Sequence, residues 1–410
     1  MLSEQSAPVI RATLPAVGAA IQDITRLFYR KLFAAHPELL RDLFNRGNQA
    51  NGEQQQALAG SIAAFAGMLL EHPDTRPDSM LSRIAHKHVS LGITADQYKI
   101  VHKHLFEAIV EVLGDAVTPE VAAAWDEVYW LMANALTAVE ARLYQEAGLP
   151  AGDVQRSMEI VTRTEETPDS VSFLLRPADG SPVRPFRPGQ YVSVQVTLPD
   201  GARQIRQYSL SSAPGRPEWR ITVKRVAATG GPDGEVSSWL HAGAREGDVL
   251  TVSAPFGDLA LEQGDGPLLL VSAGIGVTPM VGMLDHLAAT GSTRPVTVVH
   301  ADRGPADHAH REEQRALVEA LPDGRLHLFY EELGDGAPES ASAGRADLAA
   351  VDLPEGLTVY LCGPVPFMRA VRGDLLRRGV PAEYVHYEVF GPDLWLGEQG
   401  EQGEPEGAAA

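Results

Sequence analysis

Leu268-Leu269-Leu270-Val271-Ser272-Ala273-Gly274-Ile275-Gly276-Val277-Thr278-Pro279 runs from an apolar strand into a glycine turn and on into a helix. A strand apolar on both faces belongs inside a parallel sheet, whose ligands gather at the carboxyl ends of its strands. Gly274 and Gly276 permit close backbone approach, and the helix start offers unpaired N–H groups, so the turn suits a phosphate-bearing nucleotide. It is not the six-residue GxGxxG pattern. Two more buried runs, Val296 to His300 and Val359 to Cys362, alternate with helix-compatible segments, and from about Gly266 the chain therefore reads as α/β. Cys362-Gly363-Pro364 closes the second run. On its own, a buried cysteine is most often a small core residue.

Upstream the texture differs. Short alternating runs at Tyr191 to Val196, Arg220 to Val226 and Asp248 to Ser253 predict an antiparallel barrel. Arg206-Gln207-Tyr208-Ser209, placed after a strand, combines a guanidinium for phosphate, a ring for a flat heterocycle and a hydroxyl for its polar edge, which are the needs of a flavin. Gly189-Gln190-Tyr191 precedes it. Gly230-Gly231 and Gly234-Glu235-Val236-Ser237 follow, before a helix whose start could hold pyrophosphate; a plain hairpin loop is the other reading of the glycines.

The first 147 residues hold 7 Gly and 6 Pro, the other 263 hold 32 and 23, so turn formers become more than twice as dense beyond Gly148-Leu149-Pro150-Ala151-Gly152. Before that join the period is helical, as in Leu58, Ile62, Phe65 and Leu69, or Leu81, Ile84 and His88. Thr94 with Gln97 has capping-box spacing, and Thr118-Pro119 suits an N-cap and first helical residue. Six or seven helices fit. Tyr29, Gln54 and His88 are polar groups where a packed core prefers none, and by spacing alone they are either hydrogen-bonded core residues or the lining of a pocket.

The formal charge of −20, from 34 basic against 54 acidic residues, repels phosphate backbones and anionic membranes, so nucleic acid is not an expected partner. The single cysteine, Cys362, cannot form an internal disulfide, and the N-terminus lacks a secretory pattern; a cytoplasmic setting is expected. The longest uncharged stretch, Gly266 to Leu284, is broken by Gly274, Gly276, Pro279 and Gly282, which excludes a membrane span. The end, Gly397 to Ala410, reads as a disordered tail.

Residues 1–147 resemble the globin domain of bacterial flavohaemoglobins in Phe28-Tyr29, Pro37-Glu38-Leu39, Leu43-Phe44, Asn48-Gln49-Ala50-Asn51-Gly52-Glu53-Gln54, Lys87-His88 and Asp96-Gln97-Tyr98. The resemblance implies haem b, with His88 as the ligand to iron, Tyr29, Gln54 and Leu58 lining the distal side, and Phe44 on the porphyrin. It also implies that Tyr98 and Glu140 join His88 in a proximal network. A carboxylate coupled to the ligand imidazole makes it more electron donating, and a phenol or amide donor favours dioxygen that has drawn negative charge. His102 and His104 are expected at the surface.

The second half resembles the ferredoxin-reductase-like superfamily, its FAD domain covering about Val154 to Glu262. The resemblance implies that Tyr191, Arg206, Gln207, Tyr208, Ser209, Gly234, Val236 and Ser237 hold FAD. The turn from Gly274 through Ile275, Gly276, Val277 and Thr278 to Pro279 would hold NADH or NADPH, with Cys362, Gly363 and Pro364 beside the nicotinamide. Glu388-Val389-Phe390-Gly391-Pro392 resembles the closing motif, Phe390 covering the flavin; Val389 stands where the family often has cysteine. The expected layout is an all-α globin domain (1–147), an antiparallel β-barrel FAD domain (153–262), a parallel-sheet α/β NAD(P)-binding domain (266–396) and a tail (397–410).

The implied activity is nitric oxide dioxygenation: NAD(P)H reduces FAD, FAD reduces haem, and oxygen-bound haem turns nitric oxide into nitrate. The partners are then small molecules, namely oxygen, nitric oxide and NAD(P)H, with no obligate protein partner evident. The alternatives are a reductase for another acceptor such as a hydroperoxide, and a haem-based gas sensor, for which no output domain is visible. Asp302 would favour the ribose hydroxyl of NADH and Arg303 the extra phosphate of NADPH, so both coenzymes stand.

Overall fold

The computed structural model describes residues 2–74, 78–227, 233–334 and 336–392; Gly230, Gly231 and the stretch 397–410 lie outside them. The described residues divide into two compact units, one within 1–154 with 199–205 and 391–392, the other within 155–198 with 206–390.

The first unit is built of α1 (Ser6–Ala35), α2 (Pro37–Asp42), α3 (Arg46–Ala50), α4 (Glu53–Glu71), α5 (Asp78–Ser90), α6 (Ala95–Leu113) and α7 (Pro119–Glu146). Their starts follow from local chemistry. Asn45 Oδ1 accepts from Gly47 N at 2.9 Å to open α3, Thr94 N donates to Gln97 Oε1 at 2.8 Å in the capping box of α6, and Thr118 Oγ1 accepts from Val121 N at 3.3 Å ahead of α7. Helix α1 packs on α4, α6 and α7, and α5 packs on α7.

Two readings need correction. The face that α5 buries is Leu81, Ala85 and Val89, while Ile84 and His88 sit half-buried on the adjoining face. His104 is not a surface residue: it is 5 % exposed, on the side of α6 that also buries Leu105 and Ala108. His102, two positions earlier and so about 200° around the helix, is half-buried among other rings.

The second unit carries two sheets, except that Arg203–Ile205 of the fourth strand group with the first unit. The first comprises β1 (Gln155–Thr167), β2 (Ser170–Pro177), β3 (Tyr191–Thr197), β4 (Arg203–Ser209), β5 (Trp219–Lys224) and β6 (Val249–Ser253), in the order β4-β3-β6-β1-β2-β5, with α8 (Glu235–Gly243) between β5 and β6. Here β1 runs antiparallel to β2 and β6, β5 to β2, and β3 to β6. Met158, Phe173, Val192, Ile221 and Val252 fill the resulting barrel-like core. Arg206 to Ser209 lie inside β4 rather than after a strand.

The second sheet comprises β7 (Leu268–Ala273), β8 (Val296–Asp302), β9 (Gly324–Tyr330), β10 (Ser342–Ala343), β11 (Thr358–Cys362) and β12 (Val385–Glu388), with α9 (Val277–Ala289), α10 (Arg311–Glu319) and α11 (Val365–Arg377) as connections. Its order is β10-β9-β8-β7-β11-β12 and every neighbour pair is parallel. The chain winds outward from β7 in one direction and then returns to β11 on the other side. The carboxyl ends of β7 and β11 are therefore the switch point where such sheets open a ligand crevice, and Gly274 follows directly.

Helix α9 also joins the two sheets. A Cβ on Gly282 would lie 2.5 Å from Leu210 O, and Asp285 accepts from Ala213 N at 2.7 Å and Arg216 Nε at 3.0 Å. A buried polar chain runs alongside. Thr222 Oγ1 meets Ser172 and Ser211 hydroxyls at 2.9 and 3.1 Å and His310 Nε2 at 2.8 Å, while Glu313 takes His310 Nδ1 at 2.9 Å and Arg220 Nη2 at 2.8 Å.

Burial alone would raise the Glu313 carboxyl, but its bonds to His310 and Arg220 outweigh this and hold it at about 2 against an ordinary 4.5. A depressed acid stabilises the fold fully above its ordinary value and loses that contribution as pH falls toward about 2. Acid unfolding followed by circular dichroism should therefore show a shallower dependence on pH below about 4.5 in Glu313→Gln than in the parent. Equal slopes would remove Glu313 from the account.

Candidate active site

In the last turn of α5, His88 Nδ1 lies 2.8 Å from Glu140 Oε1 and 3.0 Å from the Tyr98 hydroxyl. Tyr98 also donates to Glu140 Oε1 at 2.5 Å. Burial, reinforced by Glu140, pushes the Tyr98 phenol far above its ordinary value, so it stays a donor. A carboxylate only accepts, which places the imidazole proton on Nδ1 and leaves the Nε2 lone pair as the one that a metal could meet. The main chain around the ring is held as well: Ile93 N donates to His88 O at 3.0 Å, and Ile93 O accepts from Tyr144 at 2.7 Å.

Tyr29 on α1 is 5 % exposed, with ring centres of Phe28 at 4.7 Å and Phe44 at 5.8 Å. Burial raises its phenol strongly, and the amides of Gln54 and Gln49 oppose that rise. Tyr29, Phe44 and Gln54 are thus brought together, and Leu58 follows Gln54 by one turn of α4, half-buried. Gln49 was visible in the sequence only as part of a motif. Its side chain is pinned by Gln55 Nε2, which donates to Gln49 Oε1 at 3.1 Å.

In the second unit Tyr191 opens β3, its ring against Gly257, where a Cβ would stand 3.0 Å from Cδ1. Gln207 Nε2 donates to Ser193 Oγ at 3.0 Å. Burial raises the Tyr208 phenol, with Arg206 pulling the other way. The Ser209 hydroxyl is buried and has no hydrogen-bond partner among the described residues. Gly234 caps α8, whose Ser237 Oγ donates to Gly234 O at 3.1 Å. Val236 faces the barrel core, so only its main chain is offered at the helix start.

Gly274 has φ +53°, a left-handed conformation that favours glycine. Gly276 has no such need; it is fixed by packing, since a Cβ there would lie 2.3 Å from Cys362 O. Val277, Thr278 and Pro279 are buried in the first turn of α9, and Thr278 Oγ1 donates to Ile275 O at 3.0 Å. Cys362 pairs in register with Glu388 across β11 and β12; burial, then Glu388, pushes its thiol up. Gly363 follows, and Pro364 caps α11. Val389 is buried and Phe390 is 46 % exposed, whereas Gly391 and Pro392 group with the helical unit, where Gly391 O accepts from Lys87 Nζ at 2.9 Å.

Comparison with known proteins identifies the family of the chain. The globin family model matches residues 26–136 and that of the oxidoreductase NAD-binding domain residues 270–373. A flavohemoprotein of Bordetella pertussis is 45 % identical over 406 residues, covering 95 % of this chain and 99 % of its own. That of Rhizobium meliloti is 41 % identical, covering 96 % and 100 %. The crystal structure of a flavohemoglobin from Malassezia yamatoensis with bound FAD and heme superposes with a TM-score of 0.87 at 38 % identity, covering 95 % of this chain and 100 % of that one. The flavohem-like FAD/NAD binding domain of nitric oxide dioxygenase from Vibrio cholerae is 37 % identical with a TM-score of 0.54, covering 58 % and 100 %. With near-complete coverage at this identity, and a helical unit followed by antiparallel and parallel sheets in the same order, the chain belongs to the flavohemoprotein family.

Proposed function

We propose that this protein is an NAD(P)H-dependent nitric oxide dioxygenase that forms nitrate. The observation that carries the reading is the Glu140–His88–Tyr98 triad, which fits haem because it directs the His88 Nε2 lone pair to a metal and makes the imidazole more electron donating. Haem supplies an iron centre that takes up dioxygen and changes by one electron, and FAD converts a two-electron hydride into single electrons. Tyr29 and Gln54 donate to dioxygen in the pocket, Leu58 restricts entry and Phe44 packs on the porphyrin.

The partnerless Ser209 hydroxyl fits a flavin edge, with Arg206 on the phosphates, Tyr191, Gln207 and Tyr208 about the ring, and the main chain of Gly234, Val236 and Ser237 at the pyrophosphate. The Gly274 to Pro279 turn holds the nicotinamide coenzyme, Cys362, Gly363 and Pro364 lie beside its ring, and the Glu388 to Pro392 segment closes on the flavin through Phe390. A cytoplasmic setting accords with the single cysteine. Among the described residues no helix is long and apolar enough to cross a membrane.

The deciding experiment follows nitric oxide consumption, nitrate formation and NADH oxidation together in aerobic solution. Nitrate must rise in step with NADH loss and stop when oxygen is withdrawn; consumption that is indifferent to oxygen would end the proposal. A second expectation isolates the hydride step. The methyl of Gly276→Ala meets backbone at Cys362, so the turn must shift at a cost of about 1 to 3 kcal/mol. Stopped-flow should show slower flavin reduction by NADH with an unchanged haem spectrum.

A further inference from the structure

The hydrogen bonds around His88 continue past Tyr98. Its carbonyl oxygen accepts from the Tyr129 hydroxyl at 2.5 Å, and the Tyr129 ring lies 5.2 Å from that of Trp130. His102 stacks near-parallel on Phe106 at 4.4 Å and on Trp130 at 5.1 Å, and meets Tyr129 at 4.9 Å. Its Nε2 lies 2.7 Å from Asp126 Oδ1. These four rings are all half-buried, so the cluster reaches from solvent to a residue bonded directly to the His88 ring. Tryptophan and tyrosine are the side chains most readily oxidised by one electron, and ring contacts this short pass an electron without large rearrangement.

We infer that Tyr98, Tyr129 and Trp130 form a one-electron relay from the haem pocket to the surface, and that the Trp130–His102 face oxidises small phenols or aryl amines at the expense of a hydroperoxide. The inference rests on the haem reading of His88. The hydroperoxide O–O bond breaks and its oxygens leave as an alcohol and water. The two electrons and two protons required come from two reductant molecules, each of which becomes a neutral radical. Electrons enter singly through Trp130, and the His102–Asp126 pair receives the proton that a phenol sheds. The charge of −20 turns anionic reductants away.

Haem-loaded protein, verified by its absorption band, is mixed with hydrogen peroxide, freeze-quenched for electron paramagnetic resonance and digested for mass spectrometry; a parallel sample turns over guaiacol. The parent should show an indole radical and covalent oxidation at Trp130. Trp130→Phe should shift the radical to a tyrosine and lose guaiacol oxidation while keeping NADH-driven nitric oxide consumption. Tyr129→Phe should lose the indole radical with Trp130 still present. An unmoved radical, or guaiacol oxidation undiminished in Trp130→Phe, overturns the relay alone; a protein without a haem band overturns the haem reading and the relay with it.

Discussion

Alanine at position 88 is expected to strip haem from the protein while leaving FAD bound. The imidazole is the group whose Nδ1 is tied to Glu140 and Tyr98, so its removal deletes the only nitrogen that this network orients. It also leaves the 2 % exposed Glu140 carboxylate with a single side-chain donor from this set, at a cost of about 1 to 3 kcal/mol for a buried polar group that loses a partner. Haem and flavin absorbance per protein, measured on the same purified sample, give the result. His86→Ala is the control: His86 is buried two positions away on another face of α5. Full haem occupancy in His88→Ala, with loss in His86→Ala, would transfer the ligand role to His86.

The next largest effect is expected from Tyr29→Phe, which removes one hydroxyl and little volume. Burial keeps the phenol protonated, so it has a hydrogen to donate. If that donor contributes the roughly 1.5 to 3 kcal/mol typical of hydrogen bonds to charged acceptors, dioxygen should leave on the order of tenfold to a hundredfold faster. Nitric oxide consumption at limiting oxygen should fall with it. Flavin reduction by NADH should not change, because Tyr29 belongs to the helical unit and the hydride step to the other. Equal loss in both rates would indicate misfolding, and unchanged oxygen dissociation would make Tyr29 a core residue.

How much of this was legible depended on which residues carried the pattern. Apolar signals were readable: β7, β8 and β11 are dominated by hydrophobic residues, as in Leu268–Val271 and Val359–Cys362, and α6 and α7 announce themselves by their caps. Strand β2 was not, because its buried positions include polar residues. Ser170 and Ser172 are buried there and hydrogen-bonded, which periodicity counts as exposure. His104 escaped for the same reason. The triad could not be derived from spacing either, since Glu140 lies 52 residues from His88 and reaches it only through the packing of α7 on α5. Resemblance supplied that pairing, whereas nothing in the sequence singled out Gln49 or the Trp130–His102 stack.

Helix α9 bears on attempts to splice reductases. Its first residues form the proposed nucleotide turn, while Gly282 and Asp285, farther along the same rod, are fitted to Leu210, Ala213 and Arg216 just beyond the Tyr208-Ser209 pair. A chimaera cut near Gly266 would import a foreign α9 onto a native loop. A donor with a larger residue than glycine at the position of Gly282, or without an acid at that of Asp285, would seat the helix askew and carry its coenzyme turn away from the flavin. Exchange of coenzyme preference by domain swapping should therefore succeed only when the Leu210 to Arg216 loop travels with the helix it was shaped to receive.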